Sequence, residues 1–113
     1  MKIVAVAACT LGVAHTYMAK TAIEQECIKR GHEVKVETQG AVGIENELSV
    51  EEIRKADAVL LAISVAIEGA ERFENKFDQG KVLQIDPASV IKSSAKIIDK
   101  IESLQKGEKD GKF

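Results

Sequence analysis

Four short apolar runs, spaced by longer segments of mixed polarity, set the rhythm of this chain. Lys2–Ala8 (KIVAVAA) and Asp57–Ile63 (DAVLLAI) are almost continuously apolar. Such runs suit strands covered on both faces. Glu33–Glu37 (EVKVE) alternates, as a half-exposed edge strand does, and Lys81–Ile85 (KVLQI) is a fourth strand candidate. Between the first two runs, Ala14–Arg30 reads as a helix that Gly31 can stop. Ala19, Ile23 and Cys27 form one stripe at a spacing of four, while Tyr17, Thr21 and Ile28 lie on another side. A capping box at Ser49-Val50-Glu51-Glu52 predicts a short helix running to about Ala56. Gly69–Phe73 is a weaker candidate for another. Asp86-Pro87 is an N-cap followed by a proline at the first helical position. The helix it opens carries Ile91, Ala95 and Ile98 on one row, with Val90, Ile97, Ile101 and Leu104 on the next.

Strands alternating with helices predict an α/β fold, a three-layer sandwich with helices on both faces of a parallel sheet. A four-stranded sheet in the flavodoxin-like order 2-1-3-4 is the natural expectation. Its chemistry would gather at the carboxyl end of the first strand, beside the point where strand order reverses. Residues 1–105 would form the domain, and Lys106–Phe113 (KGEKDGKF) a polar tail.

Composition narrows the field. The 113 residues fit one core, and with 4% aromatics and no Trp that core must be aliphatic. A net charge of −2 with scattered Lys and Arg gives no basic stripe for nucleic acid. The longest apolar runs are far too short to cross a bilayer, so no direct membrane insertion is expected. Cys9 and Cys27 make no disulfide framework, and His15 and His32 stand apart from each other and from both cysteines. No metal and no cofactor is expected, and the cytoplasm is the expected compartment.

The segment after the first strand carries the chemistry. Cys9-Thr10-Leu11-Gly12-Val13-Ala14-His15-Thr16 spans a strand-to-helix turn, where backbone N–H groups and a helix dipole favour an anion. Gly12 allows a backbone conformation closed to other residues. The same surroundings favour the thiolate of Cys9 and could hold three phosphoryl oxygens during an in-line transfer. Against this stands the commoner fate of such a cysteine, as a small core hydrophobe. Cys27, in the helical stripe, reads as structural, and His32 as a solvated turn residue. A phosphatase of the low-molecular-weight tyrosine type needs Cys-x5-Arg, so that a guanidinium clamps the phosphoryl group. Here the sixth residue after Cys9 is His15, and no Arg precedes Arg30. A dithiol redox reading fails because the loop holds no second cysteine.

Three blocks resemble the IIB domain of fructose-family enzyme II in the bacterial phosphoenolpyruvate-dependent sugar phosphotransferase system (PTS). V-A-A-C-T-L-G-V-A-H-T-Y-M-A at 6–19 is similar to the family's C-P-T-G-[IV]-A-H-T-[YF]-M-A. V-E-T-Q-G-A-V-G-I-E-N-E-L at 36–48 is similar to its V-E-T-Q-G-x-x-G-x-x-N-x-L block. The third is I-R-K-A-D-A-V-L-L-A at 53–62, leading to E-R-F at 71–73.

The resemblance implies a phosphocysteine at Cys9, loaded from a phosphohistidine on a IIA partner. The phosphoryl group would then pass to a sugar, fructose by analogy, on a membrane IIC partner. Gly12, Val13, Ala14, His15 and Thr16 would belong to the phosphoryl-binding loop, with Thr10 and Leu11 beside them. Glu37, Thr38, Gln39 and Gly40 would support the loop or form partner surface. The protein would be cytoplasmic, meeting the inner membrane only through IIC, with IIA and IIC supplied by other chains. Two departures stand out: Cys-Pro-Thr-Gly becomes Cys9-Thr10-Leu11-Gly12, and Ser64 stands where the family usually has an Asp. A binding or regulatory module with decayed chemistry is the competing reading of those changes.

Overall fold

A computed structural model of the chain describes residues 1–10 and 13–105. Leu11, Gly12 and the expected tail at 106–113 lie outside the described residues. In chain order the elements are β1 (Lys2–Ala8), α1 (Val13–Lys29), β2 (Glu33–Gly40), β3 (Gly43–Glu45) and α2 (Val50–Lys55). There follow β4 (Ala58–Ile63), a 3₁₀ turn (Ala70–Phe73), α3 (Glu74–Asp78), β5 (Val82–Ile85), α4 (Pro87–Lys92) and α5 (Ser94–Gln105).

The expected four-stranded parallel sheet ordered 2-1-3-4 is corrected by the structure. The sheet has five strands in the order β3-β2-β1-β4-β5 and is mixed, because β3 runs antiparallel to β2. The class remains α/β. The extra strand arises because β2 continues past Glu37 to Gly40 and turns through Ala41-Val42, so that Gly40 pairs with Gly43. Gly43 has φ 97°, which a residue with a Cβ rarely adopts, and Asn46 at φ 55° ends the short strand.

Strand β1 lies at the centre. Its neighbours on both sides are parallel, and Ile3 to Ala8 are all buried. Its side chains alternate between two cores. Ile3, Ala5 and Ala7 face the cluster built with Ala19, Ile23 and Cys27 of α1 and Ile97, Ile98, Ile101 and Leu104 of α5. Val4 and Val6 face the other, with Leu48, Ile53 and Phe73. Alanines at 5, 7, 58 and 62 keep the first face shallow, which lets α1 seat closely on the sheet.

The helix termini follow local chemistry. Ser49 Oγ accepts from Glu52 N at 3.1 Å and Glu52 Oε1 accepts from Ser49 N at 2.9 Å, completing the box. Asp86 Oδ1 accepts from Ala88 N at 2.7 Å and opens α4. Gly31, at φ 79°, follows the end of α1. The single helix expected after Asp86 is instead two. Ser93 leaves helical geometry (φ −140°, ψ 47°), at a pair of serines, a residue type that suits helix ends better than helix interiors. His32 is no solvated turn residue: its side chain is half-buried between the Met1 ammonium and the Glu102 carboxylate.

Candidate active site at the end of the central strand

Cys9 is the first residue beyond β1 and Val13 begins α1, so the thiol stands between a buried strand and the start of a 17-residue helix. It also stands at the switch point, because the chain crosses from β1 to β2 on one side and later to β4 on the other. Cys9 is half-buried, and its Sγ lies 3.0 Å from Nδ1 of His15 in the first turn of α1. At that distance a thiol proton can pass to the imidazole. Thr10 and Ala14 are exposed, and Thr16 is buried. Val13 opens the helix, and Leu11 and Gly12 fall outside the described residues.

Asp86, the α4 cap, holds its carboxyl below the ordinary value. The Ser89 hydroxyl is the main cause, the Ala88 and Ser89 N–H groups add to it, and His15 contributes a smaller attraction. Asp86 therefore lies within electrostatic reach of the imidazole.

The second predicted cluster supports the neighbouring loops. Glu37 is fully buried. Its Oε1 accepts from Leu48 N at 2.7 Å and Arg72 at 2.8 Å, and its Oε2 from Gln39 at 2.7 Å and Arg72 at 3.0 Å. Burial pushes this carboxyl up, but the guanidinium, the Leu48 amide and the Gln39 amide together hold it below the ordinary range. Gln39 also donates to Glu68 O at 3.0 Å and accepts from Glu68 N at 2.8 Å, fastening the loop after β4 to the end of β2. Thr38 is buried, and its hydroxyl donates to Glu45 Oε1 at 3.5 Å. That carboxylate also accepts from the Tyr17 hydroxyl, joining the β3 hairpin to α1. Gly40 is exposed at the hairpin turn.

Two further residues, one on the Glu37 cluster and one beside the thiol loop, carry no local sequence signal. Arg72 reaches Glu37 across 35 positions, a pairing no local spacing reveals. Ser64, seen only as a departure from the family pattern, accepts a hydrogen bond from Thr10 N–H at 3.2 Å. Cys27 is fully buried, and burial is the main reason its thiol is pushed up to about 11. Among the described residues no group of three or more His, Cys, Asp or Glu side chains could hold a metal ion, and no helix is long and apolar enough to cross a membrane.

The fold and the site thus define an open α/β protein with a thiol–imidazole pair at its switch point. Comparison with known proteins supplies the rest. The sequence profile described as "PTS system, Lactose/Cellobiose specific IIB subunit" matches residues 4–100. This chain belongs to the PTS IIB family, the phosphotransferase components of sugar phosphotransferase systems, and its relatives are of the fructose-like kind. It is 44% identical over 102 residues to the PTS system fructose-like EIIB component 2 of Escherichia coli K12, covering 90% of this chain and 92% of that one. Fructose-like EIIB component 1 of the same strain is 41% identical over 103 residues, with 91% and 92% covered. Among solved structures, a predicted fructose-specific IIB from Escherichia coli superposes with a TM-score of 0.84 at 38% identity, covering 92% of this chain and 88% of that one. A domain of a fructose-specific IIABC component from Borrelia burgdorferi gives 0.78 at 44% identity, with 88% and 91% covered.

Proposed function

We propose that this protein carries a phosphoryl group on Cys9 between a IIA donor and a sugar held by a membrane IIC component. In the first step Cys9 Sγ attacks phosphorus in line, forming an S–P bond as the N–P bond of the donor phosphohistidine breaks. The thiol proton goes first to His15 Nδ1 and then to the donor imidazole as it departs, so that the donor leaves neutral and His15 is again free of the extra proton. In the second step a sugar hydroxyl oxygen attacks, the S–P bond breaks, and the hydroxyl proton is taken up by the Cys9–His15 pair. The observation that carries this reading is the half-buried Sγ 3.0 Å from an imidazole nitrogen, at the end of the central strand and the start of α1. Family membership supports it. The phosphoryl-binding loop is Cys9 to Thr16, with Glu37, Thr38 and Gln39 bracing what surrounds it.

The relatives' names, fructose-like and fructose-specific, support fructose over a mannose-type sugar as the substrate, and the carrier works from the cytoplasm, meeting the membrane through IIC. The test is the intact mass of the protein after incubation with phosphoenolpyruvate and the upstream phosphoryl carriers. The native chain should gain one phosphoryl group and Cys9→Ala none. A phosphoryl adduct of undiminished yield in Cys9→Ala would overturn the assignment.

A further inference from the structure

The register between β1 and β4 puts a second side chain beside the thiol. Ala8 pairs with Ile63, and the ladder continues one bond further, with Ser64 N donating to Ala8 O at 3.0 Å. Ser64 therefore sits across from Cys9 on the adjacent parallel strand, on the β4 side of the switch point. Its hydroxyl oxygen accepts the Thr10 N–H at 3.2 Å, and among the described residues that is the bond it makes. A hydroxyl can accept and donate together. With the oxygen fixed by the Thr10 amide, its own proton can turn toward an acceptor on Cys9. Ser64 is exposed, so a group arriving on the sulfur can reach it.

We propose that Ser64 is a phosphoryl-binding residue supplied from outside the loop, donating its hydroxyl proton to a non-bridging oxygen of the group on Cys9 while the Thr10 amide holds it in place. This deepens the carrier reading and rests on it. A phosphoryl group brings up to two negative charges, and hydrogen bonds to a charged acceptor are about twice as strong as neutral ones. The donor lies on a strand end whose position the sheet fixes. It adds a hydroxyl beside a loop that has Leu11 two residues after the cysteine. No bond is made or broken by Ser64; it stabilises the loaded state and lengthens its life.

The experiment measures how phosphoryl groups distribute at equilibrium between phosphorylated IIA and this protein, for the native chain, Ser64→Ala and Ser64→Thr. The hydrolytic half-life of the phosphocysteine is followed in parallel. Losing a hydrogen bond to a charged group should lower the loaded fraction's equilibrium constant about tenfold in Ser64→Ala. Ser64→Thr, which keeps the hydroxyl, should stay within about twofold of the native chain, well below the effect of a lost hydrogen bond. The rate at which iodoacetamide alkylates unloaded Cys9 separates binding from mere bracing of Thr10, and it should be unchanged in both variants. An unchanged equilibrium in Ser64→Ala would overturn the proposal, as would an alkylation rate that falls in step with loading. A native chain that never takes a phosphoryl group on Cys9 would overturn the carrier reading itself, a failure visible before any variant is compared.

Discussion

Removing the Arg72 guanidinium while leaving Glu37 in place should be the most damaging single change outside the two apolar cores. Arg72 donates to Gly69 O at 2.7 Å and Leu48 O at 2.6 Å, to both oxygens of Glu37, and to Glu68 O at 3.1 Å. Its guanidinium also lies 5.1 Å from the centre of the Phe73 ring. Glu37 has no exposed surface and the Arg72 side chain only 11%, so neither charge can fall back on water. In Arg72→Met the carboxylate keeps the Leu48 and Gln39 donors but loses its counter-charge. Breaking one partner of such a pair costs about 3–5 kcal/mol, against a total of about 5–15 for a domain. With a urea dependence of about 2 kcal/mol per molar, the midpoint of unfolding should fall by about 2 M. Circular dichroism in urea reads this directly. The double variant Arg72→Met/Glu37→Gln removes the stranded charge and should recover part of the loss. A single variant costing under about 1 kcal/mol, the value of an exposed pair, would refute the reasoning.

Two further outcomes follow from the same geometry. Glu37, Glu52 and Glu102 all have carboxyls held below the ordinary 4.5, Glu52 at about 2. A depressed folded value means the stabilisation is complete above 4.5 and is lost as pH falls through the folded values. The urea midpoint should therefore drop between pH 4.5 and about 2, less steeply in Glu37→Gln, and an identical slope in the two proteins would remove Glu37 from the account. The two thiols should also differ sharply. In mildly alkaline buffer a disulfide reagent should consume Cys9 in the folded protein and Cys27 only after denaturation, because Cys27 is buried and its thiol pushed up to about 11. Two fast thiols in the native state would contradict this.

Elements marked by continuous apolar runs or by capping residues could be read from the sequence, since each signal lies within a few residues. The six-residue interval between Cys9 and His15 was legible in the same way. Strand β3 was not: it is three residues long with one apolar side chain, and its signal was the pair of glycines at 40 and 43. Helix α3 leaves little trace in the sequence because Glu74–Asp78 offers only Phe77 as an apolar residue, and that residue is 47% exposed. The break at Ser93 was hidden because the apolar rows of α4 and α5 continue across it. The Glu37–Arg72 pair joins β2 to the 3₁₀ turn and the Ser64–Thr10 bond follows the β1–β4 register, and no single segment contains either relation.

If Cys9 carries the phosphoryl group as proposed, its attachment to the most deeply buried strand has a kinetic consequence. Anchored one residue beyond β1, the sulfur has no swinging arm and cannot travel from one docked protein to another. On that reading donor and acceptor visit the same carboxyl end of the sheet in turn, each leaving before the other arrives. Turnover should follow a ping-pong pattern in which excess unloaded donor competes with the acceptor for that one docking place.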